Sequence, residues 1–272
     1  MSVTSTSLVQ TFLASGSLPL SRSIRHVQAM LSRADYNACD LADHLRMDPT
    51  LTARVMCVAN SAFFCRQPCS AIDEAVNRLG TVQLTRIFSQ VLARSAMMQP
   101  LRAYGLMADS IWRRAVFAAV GAEMAAGRSG EDRSAAYMLG LLHQVGMLVV
   151  DSLWVKQGRT ERFRLVDFER ECSADEKALC GFDQATLGAE LLRQLNFPAT
   201  VVAPINRQYG QPFSPMERAL YVGRLVRACA YETPTLNPNE EVLREFDLTS
   251  TDRLEAFLAD VREESQSLMR AA

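Results

Sequence analysis

Residues 45–64 have the sequence LRMDPTLTARVMCVANSAFF, which is the most specific pattern in the chain. Asp48 is a good N-cap residue, and Pro49 suits the first helical position because that position needs no backbone N–H. The apolar residues that follow recur at helical spacing. One face of the predicted helix therefore carries Leu51, Val55, Met56 and Ala59.

A second helix is predicted for residues 70–80, SAIDEAVNRLG. Ser70 is the predicted N-cap, and the acidic residues of the first turn suit the positive end of a helix dipole. Gly80 is the predicted stop, since glycine adopts the left-handed conformation that commonly ends helices. A third helix is then expected over about residues 82–98, before Pro100.

The rest of the chain continues the helical period, with no run of alternating strand residues and no repeat. Helices are predicted over about residues 107–126, ending at Gly127, and over 139–150. Further starts are expected at the capping box of residues 173–176, at Asp183, and at three later places: Pro198, Ser214 and Thr251. The predicted fold class is all-α. We expect two packed helical lobes, residues 1–100 and 101–272, with a C-terminal helical extension on the second.

Composition narrows the class of protein. The 272 residues are 49% hydrophobic and 22% charged, as in an ordinary globular protein, and the formal net charge is -1. No global field therefore draws the chain to nucleic acid or to an anionic membrane. The seven cysteines are an odd number, which favours reduced thiols over a disulfide framework. We expect a cytoplasmic protein that needs no membrane, and nucleic acid is not an expected partner.

The segment 45–64 resembles the N-terminal signature of the HDOD family, in which a "DPxLtxrvLxxxNSaxf" element precedes a helix that ends in "AixxLG". The second element corresponds to residues 75–80, AVNRLG. The similarity extends through Trp112 to residues 140–148, GLLHQVGML, and covers about residues 15–210. The signature residues are expected to have structural roles: Asp48, Pro49, Asn60, Ser61, Leu79 and Gly80.

HDOD domains are similar to the HD phosphohydrolases, whose metal ligands are histidines and carboxylates. This resemblance places a histidine where the chain has Arg114, and a His-Asp pair where it has His143 and Gln144. A later histidine pair corresponds to about Gln208, and Asp183 lies near another commonly polar position. A carboxamide is neutral and lacks a carboxylate's charge, so one histidine remains for a metal that needs several ligands. We expect no metal, no cofactor and no catalytic residue.

These five positions are candidates for a relic pocket that binds a ligand. Arg114 suits an anion because a guanidinium matches phosphate geometry. The alternative for Arg114 is an internal ion pair or a surface position. The alternative for His143 is a buried histidine that bonds a neighbouring helix, since buried polar groups usually find partners.

Three functions stay open. The leading hypothesis is a non-catalytic module of bacterial signal transduction that binds a protein partner, which an exposed apolar patch would support. The second is a sensor that binds a nucleotide or cyclic dinucleotide in the relic cleft, which basic groups beside Arg114 and His143 would favour. The third is a residual metal-dependent phosphohydrolase, which requires carboxylates around His143.

Overall fold

A computed structural model describes residues 4–15, 30, 37–46, 49–61, 64, 67–163, 170–212, 214–231 and 238–271. Within these ranges there is no strand, only one isolated bridge between Leu101 and Leu106, so the predicted all-α class is confirmed. The helices are α1 (Ser5–Ala14), α2 (Ala38–Arg46), α3 (Pro49–Ala59), α4 (Ile72–Met97), α5 (Ser110–Ser129), α6 (Arg133–Leu142), α7 (Gly146–Lys156), α8 (Arg170–Cys180), α9 (Gln184–Gln194), α10 (Ala199–Asn206), α11 (Pro215–Tyr231), α12 (Glu240–Glu245) and α13 (Thr251–Ala271).

The signature segment folds as α3, a short loop and the first half of α4. Asp48 lies outside the described residues, and Pro49 is the first residue of α3. Asn60 closes the loop, since its Nδ2 donates to the carbonyl of Cys69 at 2.9 Å and its Oδ1 accepts from the N–H of Cys69 at 2.8 Å. Ser61 continues the turn, with its N–H donating to the carbonyl of Val58.

The second half of the signature differs from its prediction at its start. Ser70 is not the N-cap; that position is Ala71, which makes no side-chain capping bond. Gly80 has a non-helical backbone conformation, with φ +66° and ψ 175°. Two helices therefore meet at a kink at Gly80 within α4, and the predicted stop there is confirmed. Leu79, just before the kink, is buried in the core.

The predicted helix over residues 139–150 is wrong in one respect, because residues 143–145 form a turn between α6 and α7. Beyond the turn, α7 crosses α9 so closely that a Cβ on Gly146 would lie 1.9 Å from the carbonyl oxygen of Gln184. The stretch Arg133–Lys156 is long and apolar enough to cross a membrane by length and composition, and most of it is buried inside the fold.

Three further predictions of helix ends have different outcomes in the structure. The helix predicted to end at Gly127 continues to Ser129, and Gly130 ends it with φ +78°. Ser173 lies inside α8 rather than at its start, so the capping box predicted there is wrong. Asp183 does cap α9, where its carboxylate accepts from the N–H of Thr186 at 2.9 Å.

The centre of the fold is α5, which is buried on almost every side. It packs most extensively against α6 and α11. A Cβ on Gly140 of α6 would lie 2.4 Å from the carbonyl oxygen of Ala118, and one on Gly223 of α11 would lie 2.3 Å from the same oxygen. The three backbones therefore meet where no side chain fits.

The buried apolar residues belong to one continuous cluster that runs from Val9 to Val261. In this cluster α4 packs against α2 and α3 on one side and against α6 on the other, while α1 packs against α9 and α7. The division into lobes at residue 100 stays a prediction.

We expect Gly140→Ala to destabilise the fold by about 3 kcal/mol, because the added methyl would overlap the backbone of α5. Gly127→Ala is the matched control. Gly127 is helical and exposed, and the three heavy atoms nearest to an added Cβ all belong to the flexible side chain of Arg133, at 3.5 Å or more. The control should be neutral or stabilise by about 0.5–1 kcal/mol. Urea unfolding measures both, and equal effects would contradict the proposed contact.

Candidate functional site

The turn between α6 and α7 holds His143 and Gln144. Both side chains are buried, and His143 is only 2% exposed. Its Nδ1 lies 2.6 Å from the carbonyl oxygen of Gly140. A carbonyl oxygen only accepts, so we assign the ring proton to Nδ1 and the lone pair to Nε2. Nε2 has no hydrogen-bond partner within the described part of the chain.

Three buried arginines act electrostatically on this histidine: Arg114 on α5, and Arg224 and Arg227 on α11. Burial lowers the pKa of His143 well below its usual value, and the charges of Arg227, Arg224 and Arg114 lower it further. Burial and the charge of Arg227 likewise lower the pKa of Arg224. The imidazole is therefore neutral near pH 7 and lies in a positive potential. We call these four residues the cationic cluster.

Glutamine side chains connect the cationic cluster to α9 and α10. Nε2 of Gln208 donates to the carbonyl of His143 at 2.9 Å, and Arg224 donates to the carbonyl of Gln208. Nε2 of Gln184 donates to the hydroxyl of Tyr209 at 2.5 Å, and the ring of Tyr209 lies 5.2 Å from the guanidinium of Arg224. Three buried amide oxygens have no partner among the described residues: those of Gln144, Gln184 and Gln208.

The structure brings four of the five sequence candidates together: Arg114, His143, Gln144 and Gln208. Asp183 instead contacts α8 and its own helix, accepting from Ser173 at 3.0 Å and pairing with Lys177 at 3.0 Å. Burial alone would raise the pKa of Asp183, but hydrogen bonds from Thr186, Lys177 and Ser173 outweigh it and lower the pKa. Asp183 is thus a helix cap with a stabilised charge.

The sequence analysis missed Arg224 and Arg227. Their signal was their register, because Leu220, Gly223, Arg224 and Arg227 have the i, i+3, i+4, i+7 spacing of one helical face. The helical period places both arginines on the buried face of α11. A buried arginine needs either a hydrogen-bonding partner or a functional role.

The donor set does not fit a divalent metal ion. His143 offers one imidazole nitrogen, Gln144 and Gln208 offer neutral amides, and three guanidiniums would repel a cation. Among the described residues no three His, Cys, Asp or Glu side chains come together in a way that could hold a metal.

A buried acid lies between the loop after α4 and the start of α9. Glu176 is fully buried, accepts from the hydroxyl of Tyr104 at 2.6 Å and accepts from the N–H of Gln184 at 2.7 Å. Burial raises the pKa of Glu176 from 4.5 to about 7, although both hydrogen bonds oppose the shift. This carboxyl therefore titrates near neutral pH.

A groove lies on the other side of α5, between α3, α4, α6 and α13. We call it the α4–α5 groove; its volume is about 580 Å³. Arg54 and Arg94 contribute cationic side chains to it, and no acidic residue of the described segments lines it. Met98 is 45% exposed there. The apolar lining includes Val91, Met98, Trp112, Val116 and Leu268.

A smaller hollow of about 390 Å³ continues the groove and shares Arg94, Met98 and Trp112 with it. It adds Arg113, whose guanidinium pairs with Asp109 at 2.8 Å. The two hollows together form an apolar surface with a net positive edge.

Glu176→Gln should flatten the pH dependence of stability. A carboxyl whose pKa is raised on folding contributes stability that is complete below the unfolded value, here 4.5, and is lost as the pH rises through about 7. Wild type should therefore lose about 3 kcal/mol relative to the variant between pH 5 and pH 8. Urea unfolding at each pH measures the difference. Glu241→Gln, on the surface of α12, is the control, and parallel curves for wild type and Glu176→Gln would contradict the assignment.

Several solved structures have the same fold. A provisionally named signal transduction protein from Marinobacter aquaeolei VT8 is 21% identical, with a TM-score of 0.62 over 93% of this chain and 58% of its own. An HDOD domain protein of unknown function from Geobacter sulfurreducens is 19% identical, with a TM-score of 0.61 over 97% of both chains. A provisionally named phosphohydrolase from Shewanella amazonensis SB2B is 20% identical, with a TM-score of 0.60 over 92% and 93%.

At sequence identities of 19–21%, these similarities show a shared fold alone. The chain spans little more than half of the Marinobacter structure. No curated protein is significantly similar to it. The HDOD domain family model matches residues 18–211, which is well over half of the sequence. This match includes α3, α4 and the turn that holds His143, and on this ground the chain belongs to the HDOD family.

Proposed function

We propose that the chain is a non-catalytic module of signal transduction that binds a protein partner in the α4–α5 groove. The observation that carries the proposal is the groove itself, an apolar surface with arginines and no described acid in its lining. Its volume lies in the range of about 300–1,000 Å³ that is typical of ligand pockets in proteins. A largely apolar surface of this kind on a folded domain is typical of a binding site.

The proposed partner segment is an amphipathic helix with acidic residues beside its apolar face. Apolar anchors at i, i+3, i+4 and i+7 fit a groove between helices. Charge complementarity favours the acidic form, because Arg54 and Arg94 line the groove and no described acid does. In the smaller hollow Arg113 is paired with Asp109, which also lines it, so this pair adds no net charge. The name of the Marinobacter structure is in keeping with a signalling role. The proposal places the module in the cytoplasm and needs no cofactor, membrane or nucleic acid.

Met98→Glu should abolish the docking of such a helix, because it places a negative charge in an apolar groove that selects acidic partners. The probes are two synthetic amphipathic helices with identical leucine faces, one with glutamates and one with lysines elsewhere. Calorimetry should find the acidic peptide bound at least about tenfold more tightly by wild type, and its binding lost in Met98→Glu.

Met107→Glu is the matched control for this experiment, since Met107 is 72% exposed and lines neither hollow. It should bind the acidic peptide as wild type does. Equal binding of the two peptides, or equal effects of the two substitutions, would overturn the proposed docking site.

The phosphohydrolase alternative finds no support in the donor set around His143. We expect no hydrolysis of bis-p-nitrophenyl phosphate above the rate in buffer with Mn²⁺, Mg²⁺ or Ni²⁺. A catalytic metal ion needs negatively charged ligands, whereas the charges that act on His143 are those of three arginines. Absorbance at the nitrophenolate band measures the rate. A metal-dependent rate that disappears in His143→Ala would reverse the non-catalytic part of the proposal.

A second candidate is a sensor for a nucleotide or cyclic dinucleotide in the relic cleft. The specific observation in its favour is that Arg224 and Arg227 join Arg114 beside His143. Guanidiniums bind phosphate oxygens well. A sensor of this kind could also bind a protein, because the cationic cluster and the α4–α5 groove are lined by different residues.

A further inference from the structure

The last helix of the chain lies outside the family domain. The HDOD family model ends at residue 211, whereas α13 begins at Thr251. This helix packs mainly against α5 and to a smaller extent against α11. One wall of the α4–α5 groove is therefore supplied by a helix that the family domain does not include, because Leu268 of α13 lines the groove.

The two halves of α13 differ in how they are held against the fold. In the first half Phe257 is fully buried, and its ring centre lies 4.5 Å from the guanidinium of Arg128 on α5. In the second half Ser265 is also fully buried, but its hydroxyl has no hydrogen-bond partner among the described residues, which is unfavourable. Leu268 and Met269 beyond it are only half-buried. We therefore expect the last turns to be the part of α13 that opens most readily.

This less firmly held end of α13 lies at the binding surface. Leu268 lines the α4–α5 groove, and Met269, the next residue, lines the smaller hollow. On the opposite side the two hollows share the same residues of α4 and α5, together with the end of α4: Arg94, Met98 and Trp112. The end of α13 therefore stands where the two hollows meet.

The chemistry of α13 is that of the proposed partner helix. Its apolar residues recur at the i, i+3, i+4, i+7 spacing of one helical face: Leu254, Phe257, Leu258 and Val261. Residues 251–271 include five acidic and three basic residues, so the helix has a net negative charge. All five acidic residues are exposed: Asp252, Glu255, Asp260, Glu263 and Glu264. A segment of the chain itself is thus amphipathic and acidic, and its end already touches the groove.

We propose that the end of α13, residues 265–271, is an intramolecular competitor that closes one end of the α4–α5 groove until the partner helix displaces it. This inference deepens the docking proposal and rests on it. A tethered segment has a high effective concentration, so weak contacts are enough to hold it in place. The apparent affinity for the partner is then reduced by the fraction of molecules whose groove is open. Displacement would join the two hollows into one surface, which suits a helix whose anchors at i to i+7 span about 10 Å.

Ser267→Pro tests the competition in the full chain. Ser267 is exposed and lines neither hollow. Proline inside a helix removes a backbone hydrogen bond and clashes with the preceding turn, so it should open the end of α13 and leave the groove residues unchanged. Calorimetry should find the glutamate-bearing peptide bound about tenfold more tightly by Ser267→Pro than by wild type, as expected where the end is closed in about nine-tenths of the molecules. Ser267→Ala keeps the helix and is the matched control, which should bind as wild type does.

Ser265→Ala should change the affinity in the opposite direction. It removes the buried hydroxyl that has no described partner, and alanine favours the helix more than serine does. The closed end should become more stable, so the glutamate-bearing peptide should bind about threefold less tightly. Tighter binding by Ser265→Ala would contradict the competition.

Wild type alone decides if Ser267→Pro fails to fold. Hydrogen exchange of the backbone amides of residues 265–271 should become faster when the glutamate-bearing peptide saturates the protein, because the peptide displaces this end. Slower or unchanged exchange would overturn the inference, since the end of α13 would then be part of the binding site or would stay in place.

The failure of this inference is distinguishable from the failure of the docking proposal. Equal binding of the glutamate-bearing peptide by wild type and a folded Ser267→Pro would overturn the competition and leave the docking site standing. Absence of peptide binding in wild type, Ser267→Pro and Ser267→Ala alike would overturn the docking site, and the competition with it.

Discussion

The carbonyl oxygen of Ala118 is the point on which the site depends. An added Cβ on either Gly140 or Gly223 would come within 2.4 Å of it, so α5, α6 and α11 are held at backbone distance around one atom. His143 follows Gly140 by three residues, Arg224 follows Gly223 directly, and Arg114 precedes Ala118 by one turn. Because helix geometry is rigid over one turn, this single contact places all three side chains in the same region. Substitutions at the glycines would therefore act on the site as well as on stability.

That arrangement buries charge, and the fold offsets part of the cost with aromatic rings. The guanidinium of Arg224 lies 5.2 Å from the centre of Tyr209, and that of Arg114 lies 5.4 Å from the centre of Tyr231. Each contact contributes on the order of 1 kcal/mol when desolvated. Removing an arginine from water costs several times more. Arg224 also donates to the carbonyl of Gln208, so hydrogen bonds as well as aromatic rings compensate the buried charge.

The sequence predicted the helical class, the positive φ at Gly80 and the cap at Asp183 because each depends on local chemistry. It also named residues at positions where the HD pattern has ligands; of these, Gln208 and His143 are hydrogen-bonded to each other, and a ligand site there stays a prediction. The break at residues 143–145 was missed because the apolar period continues through it. The two arginines of α11 were missed because register alone does not distinguish a buried cation from a solvated one. The two arginines are buried because α11 approaches α5 closely at Gly223, which is a tertiary contact that the sequence does not reveal.

Arginine and glutamine stand at positions where the HD pattern has metal ligands. This replacement explains why the buried cluster and the groove can have separate roles. A metal centre needs carboxylates and imidazoles with access to solvent and substrate. Once Gln144 takes the place of the aspartate and Arg114 that of a histidine, the same turn can close, and its residues become part of the core. The proposed binding surface lies elsewhere on α5, where Trp112 and Val116 line the α4–α5 groove. Arg114 and Val116 are two residues apart on this helix, and two residues span more than half a helical turn, so the buried cluster and the groove use different faces of α5.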